Sequence, residues 1–198
     1  MSSSAGPEPR AGRGRPRQPE VDARLESAVL SLLHGGGPAA VTMEAVAAES
    51  GVAKTTIYRR FANRAELLEK VLSTTIGQPG PVPEGSVRDK IRFALDRAWT
   101  QMTDILGPGG LAAIVMDADP EFTELFRQTL RPYDDALVAR IREDAHAGLL
   151  RSDVDADGVV SLFVGAYLGE LVRRGQVDDD WMDRSLDLIW AILVSPSD

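Results

Sequence analysis

The chain has 198 residues, 43% of them hydrophobic and 26% charged, with no cysteine and a formal net charge of −8. That length carries one large or two small domains with a real core, and the lack of cysteine removes disulfides, thiolate metal sites and thiol nucleophiles. Two distant histidines, His34 and His146, offer little for zinc or acid-base chemistry, so no metal, no cofactor and no enzymatic role is expected.

The N-terminal MSSSAGPEPR lacks the apolar stretch of a signal peptide. The most apolar segment, Val159 to Val172, is short and holds Glu170, so a cytoplasmic protein without a membrane partner is expected. Residues 1–19, rich in Ser, Gly, Pro and Arg, read as a flexible basic arm. Val21, Leu25, Val29, Leu32 and Leu33 then recur at helical spacing, and Gly35 to Gly37 supply a stop. Capping residues mark further helix starts at Thr42, at Asn63 with Glu66, at Ser86 with Asp89, at Asp119 before Pro120, and at Asp155 and Asp178. No strand alternation appears, which predicts an all-α fold of about nine helices. The segment 77–85, GQPGPVPEG, cannot continue a helix. It separates a small unit at 20–76 from a helical domain at 86–198. Pro132 predicts a kink or break near Leu130 and Arg131.

Charge is divided unevenly. Residues 1–75 carry ten Lys and Arg against eight Asp and Glu, and residues 76–198 carry twelve against twenty-two. Attraction to phosphate depends on local charge, so any nucleic-acid face belongs to the first third of the chain.

Within that third, residues 41–72 have the pattern of a helix-turn-helix. Met43, Val46 and Ala47 mark the buried side of a short helix, Gly51 stands where the turn needs positive φ, and Val52 plugs the angle between helices. Ala53, Ile57 and Phe61 define an inward face on the second helix. Thr55, Tyr58 and Arg59 project away from that face, with Thr56 and Arg60 at its flanks, a surface suited to phosphate and base-edge contacts in a major groove.

The run GVAKTTIYRRFANRAELL resembles the signature of the TetR family of transcriptional regulators. The likeness is specific over residues 21–72 and rests on helix layout beyond them. It implies a three-helix DNA-binding unit followed by a helical bundle that senses a ligand and forms a homodimer. By that likeness Lys54, Thr55, Thr56, Tyr58 and Arg60 match operator-contacting positions, and Thr42 and Arg64 match phosphate anchors near helix N-termini. Arg59 joins them from the helical wheel. Ala53 departs from the hydroxyl residue common at that position and weakens the cap of the recognition helix. Ahead of this unit, GRGRPR at 12–17 resembles an AT-hook core. Its Arg13, Arg15 and Arg17 suit a narrow minor groove, or simply nonspecific phosphate attraction.

In the C-terminal part, Asp155 to Val172 and Asp179 to Val194 are apolar on more than one face, which suggests a partner helix pair as well as a core. Phe163, Gly165, Tyr167, Gly169, Met182, Leu186, Ile189 and Trp190 are the expected dimer residues. Phe93, Trp99, Met102, Met116, Phe122, Phe126 and Tyr133 are candidates for an apolar ligand cavity, which Asp96, Asp104 and Glu170 can serve only if they point inward. Together these features predict a ligand-responsive DNA-binding regulator, most simply a repressor on a palindromic operator released by an unidentified small effector. The alternative is a constitutive DNA-binding or adaptor dimer without a ligand.

Overall fold

In the computed structural model, which describes residues 18–81 and 83–194 apart from the side chains of Gln18, Ala98, Gln101 and Met102, every regular element among the described residues is helical. The order is α1 (Gln18–Gly36), a 3-10 turn (Pro38–Ala40), α2 (Met43–Ser50), α3 (Lys54–Tyr58), α4 (Arg64–Ile76), α5 (Val87–Val115), α6 (Pro120–His146), α7 (Ala156–Arg174) and α8 (Trp181–Leu193). No helix of the described residues is long and apolar enough to cross a membrane.

Side-chain caps set most of the helix starts. Thr42 Oγ1 accepts the Ala45 N–H at 3.1 Å, Asn63 Oδ1 that of Glu66 at 2.9 Å, Asp119 Oδ1 that of Phe122 at 3.1 Å and Asp155 Oδ1 that of Gly158 at 3.1 Å. Ser86 and Asp89 close a reciprocal capping box. Each cap stabilises its helix by about 1 kcal/mol.

Three expectations need correction. Of the residues 1–19 expected as an arm, Gln18 and Pro19 belong to α1, and 1–17 lie outside the described residues. Asp178 caps nothing with its side chain: α8 starts at Trp181 after Asp180, and the Asp178 carboxylate accepts from Arg174 at 2.8 Å instead. Pro132 does not break its helix, since α6 runs from Pro120 to His146. The proline removes one N–H, whereas the helix is buried on both sides of it, by Phe122, Phe126 and Tyr133 before or just after and by Leu137, Val138 and Ile141 beyond. Burial of that many apolar groups, each worth about 1.5–3 kcal/mol, outweighs one lost hydrogen bond.

The break falls in α5 instead, at Gly107 (φ 56°, ψ −176°), immediately before Pro108. There the Gly107–Gly110 segment meets the glycine-rich end of α1. A Cβ on Gly109 would lie 2.9 Å from the Gly37 nitrogen, and one on Gly107 would lie 2.6 Å from His34 Cγ. Glycine is what lets these two backbones touch.

Two apolar clusters result. The first joins Leu25, Val29, Leu33, Val46, Ile57, Leu68 and Leu72 of α1–α4 to Ile105 and Leu106 of α5 and to Phe122, Phe126 and Tyr133 of α6. The second joins Ile91 and Leu95 of α5 with Leu137 and Ile141 of α6, Phe163 of α7 and Trp181, Leu186 and Leu193 of α8. The Arg92–Asp183 ion pair adds a link between α5 and α8 and holds the Asp183 carboxyl below its ordinary value through that hydrogen bond.

Gly107→Ala should cost about 3 kcal/mol or more, because positive-φ strain adds to a backbone collision. Gly148 also has positive φ (73°) but nothing within 4 Å of its added Cβ, so Gly148→Ala should cost only about 1–2 kcal/mol. Urea unfolding of the two variants checks this, and equal losses would contradict the joint.

Candidate nucleic-acid interface

The turn between α2 and α3 is built from three constraints. Gly51 takes the left-handed conformation at φ 63°. Ser50 Oγ accepts the Val52 N–H at 3.2 Å, and Arg24 of α1 donates through Nε to the Ser50 carbonyl at 2.9 Å. A Cβ on Gly51 would lie 2.8 Å from Arg24 Nη2. Val52 fills the angle at 6% exposure and Ile57 is fully buried, so the orientation of α3 follows from turn and core together. Arg24 escaped the sequence reading because its partner carbonyl is 26 residues away.

On the outer side of α3, Lys54, Thr55, Tyr58 and Arg59 are exposed and Thr56 is half-buried. Tyr58 stands 49% exposed, unusual for an aromatic with no partner in the chain's own core. Lys54 pairs with Glu44 of α2 at 2.9 Å, both at the surface, and the lysine holds the Glu44 carboxyl below its ordinary value. Thr42 is exposed beside them with its Oγ1 engaged as the α2 cap. These side chains lie on adjoining helix ends, where oriented N–H groups and a cation can meet phosphate.

Other expected contacts are placed elsewhere. Ala53 is exposed and is the uncapped N-cap of α3, not part of its inward face. Arg60 pairs with Asp22 of α1. Arg64 turns inward: its Nε donates to the Val41 carbonyl at 2.8 Å, and Nη2 donates to the Pro38 carbonyl at 2.8 Å and to Asp119 Oδ2 at 2.7 Å. Both guanidiniums thus meet carboxylates that are distant in sequence. Arg13, Arg15 and Arg17 lie outside the described residues.

Between α5, α6 and α7 an open groove of ≈ 530 Å³ is lined by Leu95, Trp99, Phe126, Leu130, Tyr133 and Phe163 among others, with Arg127, Arg131, Asp134 and Asp135 around it. Of the expected cavity residues, Trp99, Phe126 and Tyr133 line it. Phe122 is buried in the first cluster, Met116 is 76% exposed after the end of α5, and Phe93 is half-buried away from the groove. The Met102 side chain lies outside the described residues. Tyr133 also donates to the Ile76 carbonyl at 2.7 Å, tying α6 to the end of α4. Glu170 is held by Arg174 and Arg184, and Asp96 is exposed. Asp104 lines a smaller cavity of ≈ 290 Å³ beside His34 and Gly107.

The expected dimer residues divide in the same way. Phe163, Met182, Leu186 and Ile189 are buried in the chain's own core. Tyr167 packs in an aromatic cluster with Trp99 and Trp181, and Trp190 lies half-buried under Arg88. The large apolar groups left exposed are Leu162, Val164 and Val172 on α7 and Leu188 and Ile192 on α8, of which Val164 lines the groove. Gly165 and Gly169 have open space where a Cβ would stand, and with Leu162 and Val172 they form one stripe at helical spacing.

The sequence pattern of the bacterial regulatory proteins of the TetR family matches residues 27–71, and that of the tetracyclin repressor-like C-terminal domain matches residues 81–189. An uncharacterised HTH-type transcriptional regulator of Bacillus subtilis, YdeS, is 28% identical over 180 residues, which span 86% of this chain and 88% of the relative. Two solved structures share the fold. TylP, a TetR regulator from Streptomyces fradiae, superposes with TM-score 0.67 at 20% identity over 91% of this chain and 90% of its own. FadR of Bacillus subtilis, in complex with stearoyl-CoA, gives TM-score 0.66 at 16% identity over 85% of this chain and 97% of its own. With the second pattern alone covering more than half of its length, the chain belongs to the TetR family of bacterial transcriptional regulators.

Proposed function

We propose that this regulator binds palindromic operator DNA as a homodimer and represses transcription until a small effector releases it. The observation that carries the reading is the outer face of α3. Lys54, Thr55, Tyr58 and Arg59 stand in solvent on a helix whose other side is locked by Val52, Ile57 and the Gly51 turn. A rigid helix with hydroxyl donors, two cations and an aromatic on its free side is suited to enter a major groove. Arg13, Arg15 and Arg17 then reach the adjoining minor groove as second contacts.

Dimerisation is assigned to the stripe of Leu162, Gly165, Gly169 and Val172 with Leu188 and Ile192. Apolar groups exposed on two neighbouring helices, with glycines that admit close backbone approach, fit a two-fold helical interface. Such a dimer would set two α3 helices into successive major grooves about 34–36 Å apart. The effector site is the groove between α5, α6 and α7, whose apolar walls and charged edge suit an amphipathic small molecule. The FadR complex with stearoyl-CoA supports a ligand-holding body on this fold.

Against a duplex selected by the wild-type protein from a random pool, Tyr58→Ala should lose about tenfold or more in affinity. Lys54→Gln should weaken binding to all sequences alike and flatten the dependence of log K on log salt by about 0.9. Unchanged binding by Tyr58→Ala would remove α3 as the reading helix. Leu188→Arg should convert the dimer to monomer in sedimentation, and an intact dimer would move the interface elsewhere.

A further inference from the structure

Arg64 and Asp119 form a clasp between the two parts of the chain. Arg64 is the first residue of α4, and its guanidinium reaches back across the DNA-binding unit to the Pro38 and Val41 carbonyls, which precede α2. The same guanidinium donates at 2.7 Å to Asp119 Oδ2, 55 residues further on, with Glu121 Oε2 at 3.9 Å from Nη1. Asp119 divides its two oxygens: Oδ1 caps α6 through the Phe122 N–H, and Oδ2 receives Arg64. Both partners are largely screened, at 25% and 21% side-chain exposure, where a charge-assisted hydrogen bond is stronger than at an open surface.

One carboxylate therefore caps the start of α6 and holds the guanidinium that ties α4 to the segment before α2. Phe122, capped by Asp119, is fully buried in the first cluster, so α6 cannot shift at this end without moving the Oδ2 that Arg64 holds. The turn that delivers Asp119 passes through Asp117 at φ 48°, a conformation that aspartate tolerates better than most residues. With its Nε and Nη2 donors occupied and two carboxylates within 4.0 Å, Arg64 stands in an electronegative setting that disfavours a phosphate.

We propose that Asp119 is a positioning residue for DNA binding, acting through Arg64 to set α2 and α4, and with them α3, in the DNA-competent orientation, and that Arg64 itself does not contact DNA. This rests on the DNA-binding reading above. It makes α6 the element through which an event in the groove reaches the recognition helix, because Phe126, Leu130 and Tyr133 of the same helix line that groove.

The test uses the full-length protein and the duplex it selects from a random pool. Wild type, Asp119→Asn, Arg64→Gln and the double variant are titrated over a salt series. Asparagine caps a helix as well as aspartate, so Asp119→Asn keeps the start of α6 but removes the charge that Arg64 binds. Each single variant should lose about tenfold in affinity, within the usual range for coupled sites, and the double no more than the weaker single. All should keep the wild-type salt slope. A slope flattened by about 0.9 in Arg64→Gln would put Arg64 on a phosphate and overturn the proposal. So would additive losses, or wild-type affinity in Asp119→Asn. Asp119→Ser, whose hydroxyl caps but is too short to reach Arg64, repeats the test if thermal unfolding shows the asparagine variant to be destabilised. If wild type selects no duplex, the DNA-binding reading fails together with this one. If Tyr58→Ala loses binding and the clasp variants do not, only the clasp fails.

Discussion

The helix-turn-helix of this chain does not close its own core. Leu33, Leu72 and Ile76 belong to an apolar cluster that is completed by Ile105 and Leu106 of α5 and by Phe122, Phe126 and Tyr133 of α6. A unit of α1 to α4 alone is near the size at which a chain buries too little surface for independent stability. The body that follows it is thus a structural partner of the recognition helix as well as its neighbour. The backbone contact of Gly37 with Gly109 and the hydrogen bond from Tyr133 to the Ile76 carbonyl act on the same boundary. Orientation of α3 is in this way bound to the positions of α5 and α6.

That dependence gives the proposed sensing role a physical route. α6 contributes one wall of the groove through Phe126, Leu130 and Tyr133, buries Phe122 under the DNA-binding unit and presents Asp119 to Arg64. An effector that favours one placement of α6 over another by about 1.4 kcal/mol changes the ratio of DNA-competent to DNA-incompetent forms tenfold. Packed interfaces of this kind shift between discrete arrangements more readily than they deform.

Features set by neighbours in sequence were legible before the structure. The caps at Thr42, Asn63, Ser86, Asp119 and Asp155, the Gly51 turn and the free face of α3 all follow from residues within four positions of one another. Features set across the fold were not. Arg60 and Arg64 carry the same signature as DNA-contacting arginines, and only folding brings Asp22 and Asp119 to them. The apolar richness of α7 and α8 was plain, but periodicity alone could not separate Phe163, which is buried, from its neighbour Leu162, which is 51% exposed. Pro132 carried a breaking signal by residue type, yet burial on both sides keeps α6 whole. The Gly107-Pro108-Gly109-Gly110 run was the available sign of the true break, and its pairing with Gly35 to Gly37 is legible only in the tertiary contact.

The most direct measurement is a structure of the full-length protein on the duplex it selects. The account predicts Thr55 and Tyr58 of α3 against base edges in the major groove while Arg64 remains on the Pro38 and Val41 carbonyls and on Asp119. An α3 outside the groove, or Arg64 on a backbone phosphate with Asp119 released, would contradict it.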